Sequence, residues 1–299
     1  MKLIHWGALI LLGAIWGASF LFIREAAHDF GPVMLMFLRV LFAGFVLMPF
    51  APLLLRHQSS KSVRLRDHWR PFLIMGTLNA ALPFTLIAFS ELTLTASMAS
   101  IFNSLTPLCT ALVAAVWIGE RLTGKKIIGA IMGIIGVAIL VGGSPLDLTW
   151  EFIIAVLASI LAALCYGLGT VYASRNTRGL PVIQASIGQL LGAAAILTIP
   201  ATVTVPDAVP ATSAILALTA LILLSTSFAY LLYFYLLSNV GPTRTASVTF
   251  LVPIFGTIWG ILFLNEPFNL SMLLGMVVIL LSVGLVIGVN IGRRKPLAV

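Results

Sequence analysis

The sequence contains one module twice, and this duplication limits the folds that the chain can adopt. Three landmarks recur at an offset of 146 residues with no gap between them: Pro107 and Pro253, Glu120 and Glu266, and Gly129 and Gly275. A weaker match, Trp16 with Tyr166 at an offset of 150, extends the similarity into the first half of each module. We therefore expect two repeats of one fold, residues 1–143 and 144–299.

Composition identifies the environment of both repeats. Hydrophobic residues make up 60% of the chain and charged residues only 9%, whereas an ordinary soluble domain is about 25% charged. A surface in contact with water cannot be built from so few charges. The sequence therefore predicts an integral membrane protein.

Apolar runs long enough to cross a bilayer determine the predicted fold class. A helix needs about 20 mostly apolar residues to span the hydrocarbon, and ten runs qualify: 4–23, 33–54, 71–90, 95–118, 124–142, 151–173, 181–203, 212–236, 243–264 and 270–290. The first run, after Lys2, is also similar to a signal peptide, but it is long for one and Trp16 has a repeat partner. We predict an all-α integral membrane protein with ten transmembrane helices.

The distribution of Lys and Arg predicts the orientation of the helices, because short cytoplasmic loops are enriched in these residues. With the N-terminus inside, all of the 17 basic residues except Arg24 and Arg39 fall on the cytoplasmic side. Those residues are Lys2, Arg56, Lys61, Arg64, Arg66, Arg70, Arg121, Lys125, Lys126, Arg175, Arg178, Arg244, Arg293, Arg294 and Lys295. We expect both termini in the cytoplasm, in a multi-pass protein of the inner (cell) membrane. The net charge of +8 then reflects topology, not nucleic-acid binding.

Five helices in each repeat have a topological consequence. Because five is odd, the second repeat enters the membrane upside down, and the fold is predicted to consist of two inverted five-helix repeats. Glu120 then faces the cytoplasm and Glu266 the opposite side. Inverted repeats are typical of secondary transporters, in which the two halves exchange conformations around a site near the bilayer midplane. We therefore expect a small-molecule substrate and alternating access.

Three prolines interrupt apolar helices and each frees a carbonyl group one turn earlier, because proline has no N–H to donate. The prolines are Pro83, Pro107 and Pro253, and the freed carbonyls belong to Asn79, Asn103 and Thr249. In lipid such a break is tolerated only where protein or a water-filled cavity satisfies the free groups. We predict gating hinges at the prolines and substrate contacts at the three polar residues. Static kinks are the alternative.

Further candidate substrate contacts lie in predicted helices one, six and eight. Helix eight aligns with helix three at the offset of 146 and carries the candidates Ser227 and Tyr230 in a polar stretch that also contains Ser225 and Thr226. Trp16 and Tyr166 lie too deep to be interfacial anchors. These four side chains either line a substrate cavity, or fill the core and bond to neighbouring helices.

Arg39 is predicted to lie within an apolar helix, about 10 Å from its start at 1.5 Å per residue. Charges within the membrane are expensive and usually functional. Arg39 is expected to pair with Glu25, Asp29 or Glu91, or to extend towards the surface. Binding of a substrate carboxylate, or charge coupling, is the alternative.

The remaining polar residues form no catalytic or metal-binding constellation. The four histidines fall at helix ends or in loops, Cys109 and Cys165 are isolated in apolar runs, and the sequence has no phosphate-binding loop. Glu120 and Glu266 are expected to stabilise turns near helix N-termini. We predict a protein that is not an enzyme, uses no cofactor or metal, and is a monomer or weak homodimer.

Motifs in both repeats resemble the EamA domain of the drug/metabolite transporter superfamily. They are the stretch 96–100, Pro107, 119–122 and Gly129 in the first repeat, and 241–242, Pro253, 265–267 and Gly275 in the second. The stretch 37–39 resembles the second helix of the family. The resemblance implies a ten-helix exporter of amino acids or other metabolites. Small multidrug members place a proton-exchanging carboxylate in helix one, whereas this chain has no acidic residue there before Glu25.

These observations predict an inner-membrane secondary transporter that exports neutral or aromatic amino acids. The polar end of the substrate is expected to contact Asn79, Asn103, Thr249 and Tyr230, and its apolar part Trp16 and Tyr166. A permease for drugs, nucleosides or sugar derivatives is the alternative within the same class. A membrane-embedded enzyme, a channel and a structural scaffold are the alternatives outside it.

Overall fold

The computed structural model describes residues 1–55, 65–177 and 179–287, and every regular element in these ranges is helical. Nine helices of the described residues are long and apolar enough to cross a membrane: α1 (Leu3–Phe30), α2 (Pro32–Leu55), α3 (Arg66–Ser90), α4 (Ala96–Ile118), α5 (Gly124–Gly142), α6 (Trp150–Asn176), α7 (Val182–Val203), α8 (Thr212–Val240) and α10 (Leu270–Ile287). The apolar helix α9 (Val248–Leu264) is shorter, at 17 residues. A short helix, Pro242–Thr245, precedes α9. The predicted fold class, an all-α integral membrane protein with inverted repeats, is confirmed.

The ends of the spans differ from the predicted bounds where a helix continues past its apolar run. The first helix was predicted to end at residue 23, but α1 continues to Phe30 and stops before Gly31, whose φ of 71° is incompatible with a right-handed helix. Polar residues near a helix end do not terminate a helix, whereas a left-handed glycine does. Seven of the basic residues from which the orientation was predicted lie outside the described residues: Arg56, Lys61, Arg64, Arg178, Arg293, Arg294 and Lys295.

Matching helix crossings relate the two repeats. α1 crosses α9 at Gly17, where a Cβ atom would lie 2.7 Å from the backbone nitrogen of Gly256. α6 crosses α4 at Gly167, where a Cβ atom would lie 2.9 Å from the backbone nitrogen of Thr110. Gly17 and Gly167 are separated by the repeat offset of 150, and Thr110 and Gly256 by the offset of 146. The same backbone-to-backbone contact therefore occurs twice between the repeats, with the two repeats exchanging their parts.

Wide π turns interrupt α3 and α8 at repeat-equivalent places. They cover Thr77–Ala81 in α3 and Leu221–Phe228 in α8. In α3 the turn immediately precedes the segment that contains Pro83, whose missing N–H was expected to disturb the helix there. α8 has no proline at this place, and the hydroxyls of Thr226 and Ser227 instead donate to carbonyls five residues earlier, each at 2.8 Å. Single π turns occur frequently at functional sites.

The other two prolines have different effects on their helices. α4 is interrupted after Asn103 and resumes at Thr106, so that Pro107 occupies the first turn of the second segment. Pro253 lies inside α9, which continues through it from Val248 to Leu264. One predicted break is therefore a real interruption and the other is absorbed by the helix. Gating by Pro83, Pro107 and Pro253 remains a prediction.

We expect Gly17→Ala and Gly167→Ala each to lower the free energy of unfolding by about 1–3 kcal/mol, because the added methyl group meets backbone that has to move. Gly7→Ala is the matched control, since no heavy atom lies within 4 Å of the position that its new Cβ atom would occupy. Unfolding in mixed detergent micelles measures all three. Equal stability of the three variants would contradict the close crossings.

Candidate functional site

Arg39 is buried inside the bundle with neutral partners. It is 5% exposed, and its Nε donates a hydrogen bond to Thr226 Oγ1 at 3.0 Å. Its guanidinium carbon lies 4.2 Å from the centre of the Phe84 ring, a cation–π contact. Within the described ranges, the one ion pair joins Lys126 to Glu120. The guanidinium is thus held in the bundle without the carboxylate partner that was expected for it.

Aromatic side chains surround this guanidinium. Tyr166 and Tyr230 lie within electrostatic range of Arg39, and the Tyr166 ring meets Phe84 edge-on at 6.3 Å between centroids. The Tyr230 hydroxyl accepts a hydrogen bond from Gln189 Nε2 at 2.9 Å. We call Arg39, Phe84, Tyr166, Gln189, Thr226 and Tyr230 the central cluster. It joins one cation, hydrogen-bonding amide and hydroxyl groups, and three aromatic rings.

The central cluster follows the symmetry of the repeats. Arg39 and Gln189 are the eighth residues of α2 and α7, and Phe84 and Tyr230 are separated by the offset of 146. The contact of Arg39 with Phe84 therefore has its counterpart in the hydrogen bond of Gln189 with Tyr230. Residues related in this way lie around the pseudo-two-fold axis, which is where inverted-repeat transporters bind substrates.

Sequence reasoning identified only part of this cluster. Tyr166 and Tyr230 were predicted as substrate contacts, Arg39 as a charge, and Thr226 belongs to the predicted polar stretch of helix eight, but Gln189 and Phe84 were not predicted. Gln189 lies at the repeat offset of 150 from Arg39, so the sequence alone could have indicated it as the counterpart of Arg39. Ser227 was selected in α8, but its hydroxyl bonds within its own helix. The π turn alters the register of α8 and leaves Thr226 as the partner of Arg39.

The other predicted contacts have separate surroundings. The Trp16 ring packs against Tyr233 at 5.7 Å, and the Asn79 side chain packs against the backbone at Gly169 of α6. Asn103 lies at the interruption of α4, where its Oδ1 is buried without a hydrogen-bond partner. The Thr249 hydroxyl donates to the Ala246 carbonyl at 2.8 Å. Among these residues, Asn103 is the one with a buried polar side-chain atom that has no hydrogen-bond partner.

No group of three His, Cys, Asp or Glu side chains with metal-binding geometry occurs in the part of the chain that the structure describes.

One end of the bundle, which we call the Glu266 end, is held by a contact between the repeats. Glu266 precedes α10, and its carboxylate accepts hydrogen bonds from the first turn of α4: Ala96 N at 2.6 Å, Ser97 N at 2.9 Å and Ser97 Oγ at 2.5 Å. A carboxylate at a helix N-terminus is favoured because the N–H groups there have no partners within the helix. Glu266 was expected to stabilise a turn near a helix N-terminus, and the N-terminus that it caps belongs to α4 of the other repeat.

The repeat-related Glu120 makes a different contact at the opposite end. The two turns have the same backbone, since Gly119 and Asn265 both have positive φ and both glutamate N–H groups donate to a carbonyl six residues earlier at 3.2 Å. Yet the Glu120 side chain is 50% exposed and pairs with Lys126 of its own repeat at 2.5 Å. The Glu266 carboxylate therefore bridges the two repeats, whereas the Glu120 carboxylate bonds within its own repeat.

Comparison with known proteins identifies the family. The model of the EamA-like transporter family matches residues 5–142 and 153–288, once for each repeat. The chain belongs to the EamA-like transporter family. It is similar to the uncharacterized transporter YvbV of Bacillus subtilis, with 25% identity over 93% of this chain and 90% of that protein. It is also similar to the uncharacterized inner membrane transporter YedA of Escherichia coli, with 28% identity over 97% and 93%.

The fold of this EamA protein also occurs among solved structures. One crystal structure superposes with a TM-score of 0.64 at 22% identity, over 93% of this chain and 95% of that one. This likeness extends to the fold only. The family, together with nine helices of the described residues that are long and apolar enough to cross a membrane, makes the protein a multi-pass membrane transporter.

We expect Glu266→Gln to lower the free energy of unfolding by about 1–3 kcal/mol, because the hydrogen bonds of the α4 cap lose their charged acceptor. Glu120→Gln is the repeat-related control, and its exposed ion pair contributes only about 0–1 kcal/mol. Unfolding in mixed micelles compares the two variants. Equal losses would contradict the inferred difference between the two ends of the bundle.

Proposed function

We propose that this transporter exports small metabolites, namely neutral or aromatic amino acids, across the inner membrane by alternating access. The observation that carries the proposal is Arg39, a buried guanidinium that has neutral partners and three aromatic rings around it. A permanently charged group inside a membrane protein is costly without an ionic partner, and no carboxylate of the described residues lies within ion-pair distance of Arg39. A carboxylate brought by the substrate supplies that partner.

The chemistry of guanidinium favours a carboxylate as the ligand. Arginine binds carboxylates through two parallel hydrogen bonds, and one of its nitrogens is already held by Thr226 in a fixed orientation. Phe84, Tyr166 and Tyr230 then offer rings against which an apolar or aromatic side chain can pack. The cluster thus combines an anion-binding group with an aromatic lining.

The ammonium group of an amino acid needs acceptors, and the predicted polar contacts supply them. Asn103 Oδ1 is buried and unpartnered, so that a donor from the substrate would complete it. Asn79 and Thr249 are proposed as further polar contacts, with Trp16 on the apolar side. The Ser227 hydroxyl bonds within α8, so Ser227 is proposed to line the substrate path without a hydrogen bond to the substrate.

Alternating access is proposed to use the π turns of α3 and α8 and the prolines at 83, 107 and 253 as hinges. With both termini in the cytoplasm, the Glu266 end faces outwards and the Glu120 end faces the cytoplasm. The cap of Glu266 on α4 then holds the outward end closed.

The aromatic lining also favours a second candidate within the same class, a permease for nucleosides or other aromatic metabolites. Planar bases pack against aromatic rings as readily as aromatic side chains do. Such substrates carry no carboxylate, so Arg39 distinguishes the two candidates. Competition for transport by nucleosides in place of amino acids would favour the second.

The test uses labelled phenylalanine in proteoliposomes, with phenylalanine and phenethylamine as competitors that differ in the carboxylate. We expect Arg39→Gln to weaken apparent affinity for phenylalanine by tenfold or more, since a hydrogen bond to a charged group contributes about 1.5–3 kcal/mol. Phenethylamine, which has no carboxylate, should compete weakly, and equally so in the wild-type protein and in Arg39→Gln. Lys126→Gln, at the exposed ion pair, is the control. Unchanged affinity in Arg39→Gln would contradict the carboxylate site.

A second test concerns the amide contacts. We expect Asn103→Ala and Asn79→Ala to lower the transport rate or the apparent affinity, with the larger loss at Asn103 because its Oδ1 is unsatisfied without a ligand. The same proteoliposome flux measures both variants, and Asn176→Ala, exposed at the end of α6, is the control. Wild-type kinetics in both variants would exclude these two residues from the site.

A further inference from the structure

A second carboxylate lies at the Glu266 end and is used by none of the contacts described so far. Glu91 occupies the turn between α3 and α4, and its exposed fraction is 0%. Neither carboxylate oxygen of Glu91 has a hydrogen-bond partner. A buried carboxylate without donors is strongly disfavoured in its charged form. Its neutral form, which has a proton, avoids that penalty.

The groups that face Glu91 do not remove the penalty. Arg24 of α1 donates to the backbone carbonyl of Glu91 and leaves the carboxylate unbonded. Arg39 of α2 lies within electrostatic range, and Glu266 faces Glu91 from the loop before α10 with a negative charge of its own. Burial, followed by repulsion from Glu266, raises the pKa of this turn residue well above its ordinary value, despite the opposing effect of both arginines.

We propose that Glu91 is a proton-binding site of the gate at the Glu266 end. Glu91 holds a proton while Glu266 caps α4, and releases the proton to water when Glu266 leaves the cap and the turn becomes solvated. This inference rests on the proposed alternating access, because it requires that the Glu266 end opens. The proton leaves to the water at this end and returns from it, so the site alone moves no net charge across the membrane.

The direction of the pH effect follows from the linkage between proton binding and opening. The closed end binds the proton more tightly than the open end, so opening releases a proton and is favoured as pH rises. The effect is at most tenfold per pH unit. It begins near the ordinary pKa of a solvated glutamate, about 4.3, and ends at the higher pKa of the closed state.

Accessibility of a cysteine at the gate measures opening without any substrate. The reporter is Ala96→Cys, placed at a fully buried residue of the α4 cap, in a protein that has Cys109→Ala and Cys165→Ala. Its rate of alkylation by a charged maleimide is measured in micelles from about pH 5 to 8, with Glu91 and with Glu91→Gln. The ionisation of the thiol contributes to both proteins, so the ratio of the two rates isolates the effect of Glu91.

We expect the ratio of the rate with Glu91 to the rate with Glu91→Gln to rise with pH by up to tenfold per unit. Glu25 is an exposed carboxylate at the same end, and its substitution Glu25→Gln is the control, which should leave the rise unchanged. A ratio that stays constant overturns the proton site while the opening itself stands. No alkylation of any variant at any pH contradicts both the gate and the proposed alternating access. If Glu91→Gln does not fold, the test is the infrared absorption of a protonated carboxyl group in the Glu25→Gln protein. The absence of this absorption overturns the proposal.

Discussion

The centre of this transporter depends on one interaction, the stabilisation of a buried guanidinium charge by protein groups in place of water. Arg39 cannot reach water from inside the bundle, so the ring of Phe84 and the hydroxyl of Thr226 surround it. Thr226 is presented by a π turn in α8, a backbone irregularity that lipid tolerates only in the protein interior. The helix breaks and the buried charge therefore have a common location and, in our proposal, a common purpose.

The inverted repeat explains why this centre has partners of two kinds. Each repeat supplies an equivalent pair, Arg39 with Phe84 and Gln189 with Tyr230, so the cluster is symmetric in position and asymmetric in charge. The ends of the bundle differ in a related way, since Glu266 caps the other repeat whereas Glu120 pairs with its own. Two copies of one module thus provide a charged site at the centre and one closed end.

The fold was predictable from the sequence because the bilayer imposes it. Ten apolar runs, an offset of 146 and an odd number of helices per repeat determine the architecture, and residue-level patterns such as Trp16 with Tyr166 fit it. The site was only partly predictable, because the polar stretch of α8 does not indicate which of its hydroxyls, that of Thr226 or that of Ser227, meets Arg39. The cap formed by Glu266 requires that the start of α4 packs beside it, and the sequence around Glu266 does not indicate this long-range contact.

The most direct test of this mechanism is a reversible cross-link of the Glu266 end. Ser97 and Glu266 are in contact, so Ser97→Cys with Glu266→Cys, in a background without Cys109 and Cys165, places two thiols across the repeats. We predict that oxidation of this pair abolishes phenylalanine flux in proteoliposomes and that reduction restores it. Full flux through the cross-linked protein would contradict access to the central cluster from this end.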